Sequence, residues 1–424
     1  MRGYHRILMP AERRGPVLRS SQGGSDRLYL LTTQSERIVP LRMGRVSTMR
    51  ARQMLHVDLW AFDPATAQPA WRRRLRTYED RGDLMHTLLG ADATTLWLFV
   101  REPLAVSLRD GAIVADGARL DELNPSLAGQ RVDQDGFVAF GAQGLQLTLS
   151  DSTQWAIDGL TFRAQPRDAA PRHDDRITVP AYDASYTSRL QVRGLLTGTM
   201  WLGVLTDREA DTLSKPPLVP GAKPGDRRGA MADFLESQHV PDRLETAPTR
   251  YRVWRAKVAK ISAAPRDWPK EWPDNWGTRH QFSDYAALPE APVFLQAGLL
   301  SNGQAEIPFW YREPDSVLVL HHDKVGNDGR LRVARVSGPA GQVVWDAALG
   351  AAELDSAMYG AQIVSLVGRV PNPDHDPDSQ TSRDVHELVV SLATADGAVA
   401  TYDLTAESVT DRTPATPAVA PAAD

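Results

Sequence analysis

The stretch LWAFDPATAQPAWRRRL, residues 59–75, decides how this chain is read. An apolar run closes at Phe62, the turn-forming residues Asp63 to Gln68 follow, and a second β-run begins around Trp71. Asp tolerates tight backbone turns through its side chain, so the pattern is that of a hairpin. The same arrangement returns far along the chain. Laid over LRVARVSGPAGQVVWDAAL (residues 331–349), Trp71 meets Trp345, Leu75 meets Leu349 and Phe62 meets Val336 without a gap. A third copy, LVVSLATADGAVATYDL (residues 388–404), keeps Leu392 and places Gly397 where Gly341 stands, with Thr401 at the Trp position. A looser fourth, TTLWLFVREPLAVSLRDGAIVAD, carries Asp110-Gly111 at its turn.

Single hairpins are unstable in water, so a repeated hairpin implies stacking of successive units. Short apolar runs bounded by Gly, Asp, Asn and Pro recur throughout, among them Leu96 to Val100, Met200 to Leu205, Val317 to Leu320 and Ile363 to Val367. Helical periodicity is scarce. These features predict an all-β chain.

Ala61-Phe62-Asp63-x-x-Thr66-Ala67-Gln68-x-x-Trp71 resembles the A-x-D-x-x-T-G-x-x-x-W signature of quinoprotein-type (PQQ-like repeat) β-propellers, with Ala67 in place of the usual Gly. The chain is similar to a bacterial group within that superfamily. The resemblance implies a β-propeller of four-stranded blades, about seven within a range of six to eight at roughly 40–50 residues each. It also implies that Asp63 and Gly341 shape turns between outer strands, and that Trp71 and Trp345 dock against neighbouring blades.

The predicted organisation is an irregular segment over 1–26, a propeller over 27–404 and a disordered Pro/Ala-rich tail over 405–424. Within the propeller, 207–250 reads as a Pro-rich insertion with a short helix around Gly229 to Gln238.

A chain of 424 residues with 42% hydrophobic and 24% charged residues has an ordinary globular balance. Its net charge of −5 lacks the basic footprint of nucleic-acid binding, and the run Arg72-Arg73-Arg74 reads as a solvated strand edge. With no cysteine, disulfides, thiolate metal sites and a catalytic thiol are excluded. No apolar stretch reaches the roughly 18–20 residues of a membrane-spanning helix. The opening residues hold only the short apolar patch Ile7 to Met9, where a secretory signal needs about 7–15. As written, a soluble cytoplasmic monomer is expected, or a periplasmic or envelope-associated one if an apolar segment precedes Met1.

Three patterns are candidates for chemistry. Trp268-Pro269-x-x-Trp272-Pro273-x-x-Trp276 offers rings that either pack a long loop, the favoured reading, or stack on a flat ligand such as a sugar. Asp374, Asp376 and Asp378 alternate as at the opening of a calcium loop. Ser379 stands where the glycine belongs, however, and Val385 where the bidentate Glu belongs, so a solvated acidic loop is favoured. His321-His322-Asp323 follows a strand, where neighbouring side chains point to opposite faces and do not converge on one metal.

No G-x-S-x-G, H-E-x-x-H or phosphate-loop motif occurs, and no catalytic residue is assigned. The expectation is a non-catalytic binding or scaffold propeller for a protein, peptide or glycan, without PQQ or calcium. The alternative is an enzyme using the channel or rim, most naturally a quinoprotein-like oxidoreductase. A likeness to propeller scaffolds of bacterial outer-membrane assembly would require export.

Overall fold

The computed structural model describes residues 4–40, 52–80, 86–132, 134, 137–141, 144–167, 184–186, 193–197, 200–207, 209–210, 250–261, 279–300, 310–312, 315–325, 329–337, 340–360, 362–379, 381–413 and 416–417. Two compact units are present. One comprises residues 1–178, 365–391 and 400–412, and the other residues 179–364, 392–399 and 413–424.

The chain is all-β and is built from antiparallel sheets of four or more strands, the construction of propeller blades. In the first, β1 (Tyr4–Leu8), β3 (Arg27–Pro40), β4 (Arg52–Phe62) and β5 (Pro69–Glu79) lie in that order. β2 (Glu12–Ser20) joins the edge of β3 at Arg27 to Thr33, and β1 takes Glu36 to Pro40. The second sheet is β6 (His86–Ala91), β7 (Thr95–Val100), β8 (Glu102–Ser107) and β9 (Ile113–Ala115). Helix α1 (Gly117–Leu123), capped by Asp116, leads to the third: β10 (Val138–Gly141), β11 (Gly144–Thr148), β12 (Gln154–Ile157) and β13 (Ala164–Pro166).

In the second unit β14 (Ala184–Tyr186), β15 (Arg193–Thr197), β16 (Met200–Leu205) and β17 (Arg250–Ile261) are consecutive neighbours, and β18 (Arg279–Ala287) pairs with β17. Further strands are β19 (Phe294–Leu299), β20 (Trp310–Arg312), β21 (Asp315–His322), β22 (Leu331–Ser337) and β23 (Val343–Ala348). β19 and β20 both pair with β21, which continues through β22 to β23. A further sheet, most of whose residues belong to the first unit, runs β24 (Glu353–Tyr359), β25 (Ile363–Pro371), β26 (Val385–Ala393), β27 (Val399–Asp403) and β28 (Ser408–Thr413). The short β29 (Thr416–Pro417) pairs with β23.

Strand β7 shows how the sheets cohere. Side chains alternate across a strand, and all six of its residues are buried. Leu96, Leu98 and Val100 join Leu31, Val57 and Leu59 of the first sheet, whereas Trp97 and Phe99 join Leu145, Leu147 and Ile157 of the third. In the second unit, Leu202 and Val204 of β16 and Tyr251 and Val253 of β17 meet Val317, Val319, Ala334 and Val336 in the same manner. Each large apolar side chain so buried contributes roughly 1.5–3 kcal/mol, which a single exposed hairpin forfeits.

One turn recurs at the ends of these sheets. The Asp63 N–H donates to the Gln68 carbonyl (2.9 Å) and the Ala67 N–H to the Asp63 carbonyl (2.9 Å). The same pair of bonds links Ser107 with Ala112 and Gly111, Asp158 with Arg163 and Phe162, Ser337 with Gln342 and Gly341, and Ala393 with Ala398 and Gly397. The fifth residue is left-handed every time: Ala67 (φ 55°), Gly111 (70°), Phe162 (55°), Gly341 (85°) and Gly397 (68°). Asp63, Ser107 and Asp158 brace their turns by accepting the N–H two residues ahead.

Each of three hairpins carries a register shift at the same place, with Phe62 opposite Pro69, Val106 opposite Ile113 and Val336 opposite Val343. Nine residues beyond the first member stand Trp71, Ala115 and Trp345. Trp71 covers Gly111 of the second sheet, where an added Cβ would lie 2.6 Å from the Trp71 ring and 2.7 Å from Arg73 Cγ. Trp345 donates from Nε1 to the Thr394 carbonyl (3.2 Å), within another of these turns.

The structure departs from the sequence expectation at both ends. Residues 1–26 were expected to be irregular, yet β1 and β2 lie there, held to the open edge of β3 by backbone pairing that apolar content does not report. The tail expected to be disordered from 405 contains β28 and β29, because Ser408 to Thr413 pairs with β27 and Thr416–Pro417 with β23. At the start of the expected insertion, Thr206 and Glu209 form a reciprocal capping box: the Thr206 N–H reaches Glu209 Oε2 (2.8 Å) and the Glu209 N–H reaches Thr206 Oγ1 (3.1 Å). Residues 211–249, with the helix expected around Gly229 to Gln238, lie outside the described residues.

The turn makes opposite demands at two positions. Ala67→Gly relieves a left-handed alanine and is expected to stabilise the fold by about 0.5–1 kcal/mol. Gly111→Ala, strained and driven into Trp71, is expected to destabilise it by about 1–3 kcal/mol. Equilibrium urea unfolding of both variants checks the two signs.

Candidate functional site: the β17–β18 ribbon and the polar face of the first sheet

Strands β17 and β18 flank the tryptophan-rich segment. β17 pairs with β16 from Arg252 to Lys257 and with β18 from Trp254 to Ile261, where Ile261 faces Arg279. Beyond Lys257 the ribbon therefore continues for residues 258–261 with no third strand on the β17 edge among the described residues, about 13 Å at the usual strand rise. Trp268, Trp272 and Trp276 fall in the connection between Ile261 and Arg279, outside the described residues.

The root of the ribbon is anchored. Trp201 is fully buried with Leu205, Ala210 and Ala256, flanked by Trp254 and Tyr285. Gly203 leaves the room for it, since a Cβ there would lie 2.2 Å from the Trp201 ring. A bulge between Arg255 and Lys257, with Asp284 left-handed (φ 54°), increases the local twist. Arg250, Arg252 and Arg255 are exposed and have no ion-pair partner among the described residues. Lys257 Nζ reaches Asp284 Oδ2 (2.7 Å) in a pair that is mostly in water.

The acidic loop contains exposed turns. Asp374 donates its N–H to Asn372 Oδ1 (3.0 Å), Asp376 donates to Ser382 Oγ (2.9 Å), and Asp378 donates to Asp376 Oδ1 (3.0 Å). Among the described residues no group of three or more His, Asp or Glu is placed to hold a metal ion. His321 and His322 diverge. His321 is buried and joins Asp346 through Nε2 (3.1 Å), whereas His322 lies nearer the surface with Nδ1 3.4 Å from the Gln296 carbonyl. Burial pulls the Asp346 carboxyl upward, and His321 and Arg332 more than reverse it, leaving it below the ordinary carboxylate range.

The first sheet holds polar groups that no motif announced. On β4, Val57, Leu59 and Ala61 face the apolar core, so His56, Asp58 and Trp60 share the other face. His56 joins Glu36 through Nε2 (3.2 Å) and Thr77 through Nδ1 (3.0 Å). Asp58, 1% exposed, accepts from Arg72 (2.6 Å) and Arg74 (2.6 Å). The Arg72 guanidinium also lies 4.4 Å from the Trp60 ring centroid and bonds Glu407 (2.7 Å). Arg73 donates to the Asp110 carbonyl (2.8 Å), and Arg76 to Glu102 (3.0 Å) and Asp116 (3.2 Å). The basic run lies on the outermost strand of its sheet with Arg73 and Arg74 exposed, as expected of a solvated edge, and Arg72 and Arg74 are in addition tied to Asp58. Burial raises the Asp58 carboxyl, and its two arginines outweigh burial and hold it below its ordinary value.

At the apolar face of β5 the Tyr78 hydroxyl bonds His86 Nε2, and the Arg101 guanidinium sits 4.0 Å from the Tyr78 ring centroid. Arg101 is itself left-handed (φ 64°). Burial, helped by the charges of Arg14 and Arg101, pushes His86 down to about 4. Burial likewise pushes Tyr78 up to about 12. Both groups are neutral at pH 7. The sequence signal available for these clusters was the alternation His56-x-Asp58-x-Trp60 in an otherwise apolar strand.

No helix among the described residues is long and apolar enough to cross a membrane. No protein-family model matches the chain, and no curated protein matches it either. Among solved structures, the crystal structure of BamB from Moraxella catarrhalis aligns over 96% of this chain and 91% of that one, at 10% identity and a TM-score of 0.19. A structure of S. cerevisiae Dbp5 bound to Nup159, Gle1, IP6 and ADP aligns over 96% of this chain and 80% of that one, at 9% identity and a TM-score of 0.17.

Two measurements test the polar network. Asp58→Ala leaves two guanidinium groups facing a part-buried site and is expected to cost about 3–5 kcal/mol in urea unfolding. His86 titrates lower folded than unfolded, so its contribution is complete above about 6.5 and is lost as pH falls towards about 4. His86→Gln is expected to flatten the decline in stability over that window, read as the urea midpoint at each pH.

Proposed function

We propose that this chain is a non-catalytic binding or scaffold propeller. It recognises a protein, peptide or glycan through the β17–β18 ribbon and the tryptophans Trp268, Trp272 and Trp276 that the ribbon subtends. The observation that carries this reading is the ribbon itself, in which β17 and β18 continue for four residue pairs beyond the last pairing of β17 with β16, with no third strand on that edge of β17 among the described residues. Aromatic faces displayed between these two strands would bind flat or apolar ligands at low entropic cost. The polar clusters of the first sheet support the same view from the other side. Asp58, His56 and His86 spend their hydrogen bonds on Arg72, Arg74, Glu36, Thr77 and Tyr78, joining strand to strand. The PQQ-like repeat signature is accordingly read as blade construction, with neither quinone nor calcium as a cofactor.

The triple variant Trp268→Ala/Trp272→Ala/Trp276→Ala tests display against packing. Displayed rings predict a clear loss of acrylamide-quenchable fluorescence with a urea midpoint close to that of the parent. Rings packed in a core would cost about 3–5 kcal/mol each and would overturn the reading. Incubation with pyrroloquinoline quinone and Ca²⁺ is expected to support no dye reduction with alcohols or sugars, and sustained reduction would establish the enzymatic alternative.

A further inference from the structure

We infer that Thr77 is a covalent modification site, a base-activated hydroxyl that accepts an acyl group from a donor of the thioester class. Three adjacent strands of the first sheet build it. His56 of β4 lies directly opposite Thr77 of β5, so the two side chains share a face. Gln34 of β3 is the residue opposite His56, which makes Glu36 the diagonal neighbour, within reach of a long side chain. The contacts follow that register. His56 Nδ1 lies 3.0 Å from Thr77 Oγ1, and His56 Nε2 lies 3.2 Å from Glu36 Oε2.

The chemistry of the three groups sets the direction of proton transfer. A carboxylate only accepts, so Glu36 holds a hydrogen on Nε2 and leaves Nδ1 of the neutral ring to accept from the Thr77 hydroxyl. Arg6 Nη1 pairs with the other Glu36 oxygen (3.4 Å). Glu36 and His56 are each 8% exposed, whereas Thr77 is an exposed residue. A base shielded from water thus serves a hydroxyl that a reagent can reach, the arrangement that activates a nucleophile. No other histidine among the described residues combines the two partners. His86 meets the Tyr78 hydroxyl, His386 the Asp403 carboxylate, and His321 the Asp346 carboxylate with a backbone carbonyl. His375 meets Ser382 Oγ (3.1 Å) in an exposed loop, with no carboxylate on its ring among the described residues.

In the reaction Thr77 Oγ1 attacks the thioester carbonyl as its proton passes to His56 Nδ1. The O–C bond forms, the C–S bond breaks, and His56 hands the proton to the leaving thiolate. Glu36 acts through His56 and is a positioning residue. The threonyl ester is less reactive than the thioester that made it, so the acyl group stays on the chain. The protein is then the acceptor and is used once, whatever the tryptophans bind.

The test incubates the full chain with S-acetyl-N-acetylcysteamine, a small acetyl thioester, and follows uptake by intact mass and peptide mapping. Release by alkaline hydroxylamine separates the ester from lysine amides. Thr77 is expected to take up an acetyl group at least tenfold faster than Ser382. Thr77→Val is expected to lose the fast ester, and Thr77→Ser to keep it. His56→Gln is expected to slow acetylation of Thr77 about a hundredfold, the lower end of what a positioned base contributes. Glu36→Gln is expected to slow it at least threefold and to mix the imidazole tautomers, read from the nitrogen-15 shifts of the His56 ring. Urea unfolding checks that each variant is folded, and if His56→Gln is not, the Thr77 variants and Glu36→Gln decide. No preference for Thr77 over Ser382, or a folded His56→Gln chain that keeps the parent rate, would overturn the assignment.

Discussion

A four-stranded antiparallel sheet with apolar residues on both faces has no stable existence by itself, and that constraint organises the described structure. Every residue of β7 is buried, which is possible only because one sheet covers Leu96, Leu98 and Val100 and another covers Trp97 and Phe99. The hairpin turn supplies the second half of the solution. Its left-handed fifth position keeps the returning strand in register, and where that residue is Gly111 it leaves a surface flat enough for Trp71 of the preceding sheet. Where Ala67 or Phe162 takes the position, the backbone carries strain that the surrounding packing absorbs.

Polar chemistry follows the same economy. Asp58 would be intolerable alone at its depth, and two arginines from the neighbouring strand make it a clamp between β4 and β5. Tyr78 and His86 do the same across two sheets, as a pair kept neutral by burial. Glu387 sits deeper in this logic. Burial raises its carboxyl even though the Arg13 N–H bonds it (2.9 Å), tying β2 to β26. Strong pKa shifts often mark active sites, but those of Asp58, His86 and Glu387 fall where strands of the fold meet. On β5, Arg72, Arg74 and Arg76 meet carboxylates and Arg73 a backbone carbonyl, whereas Arg250, Arg252 and Arg255 of β17 are exposed with no ion pair among the described residues.

Much of this was legible in local sequence. The gap-free overlay of Phe62 on Val336 and Trp71 on Trp345 corresponds to one register shift and one turn geometry repeated, because a hairpin is specified by residues within about ten positions of each other. The alternation of β4 likewise shows in Leu55, Val57 and Leu59 against His56 and Asp58. What the sequence left unread has long range in common. β2 contains few apolar residues, and its place depends on the edge of β3. β28 and β29 lie in a stretch whose composition reads as disorder until β27 and β23 are there to pair with them.

The sequence by itself therefore determined the all-β class, the hairpin unit and the turn positions, since turn chemistry and period-two alternation act between near neighbours. Only the tertiary structure decided which polar groups meet. Glu36 finds His56 twenty positions away, and Arg72 finds Glu407 at the other end of the chain. Pairing of that kind depends on which strands lie side by side and which faces are covered. Sheet packing sets both, and no local pattern encodes either.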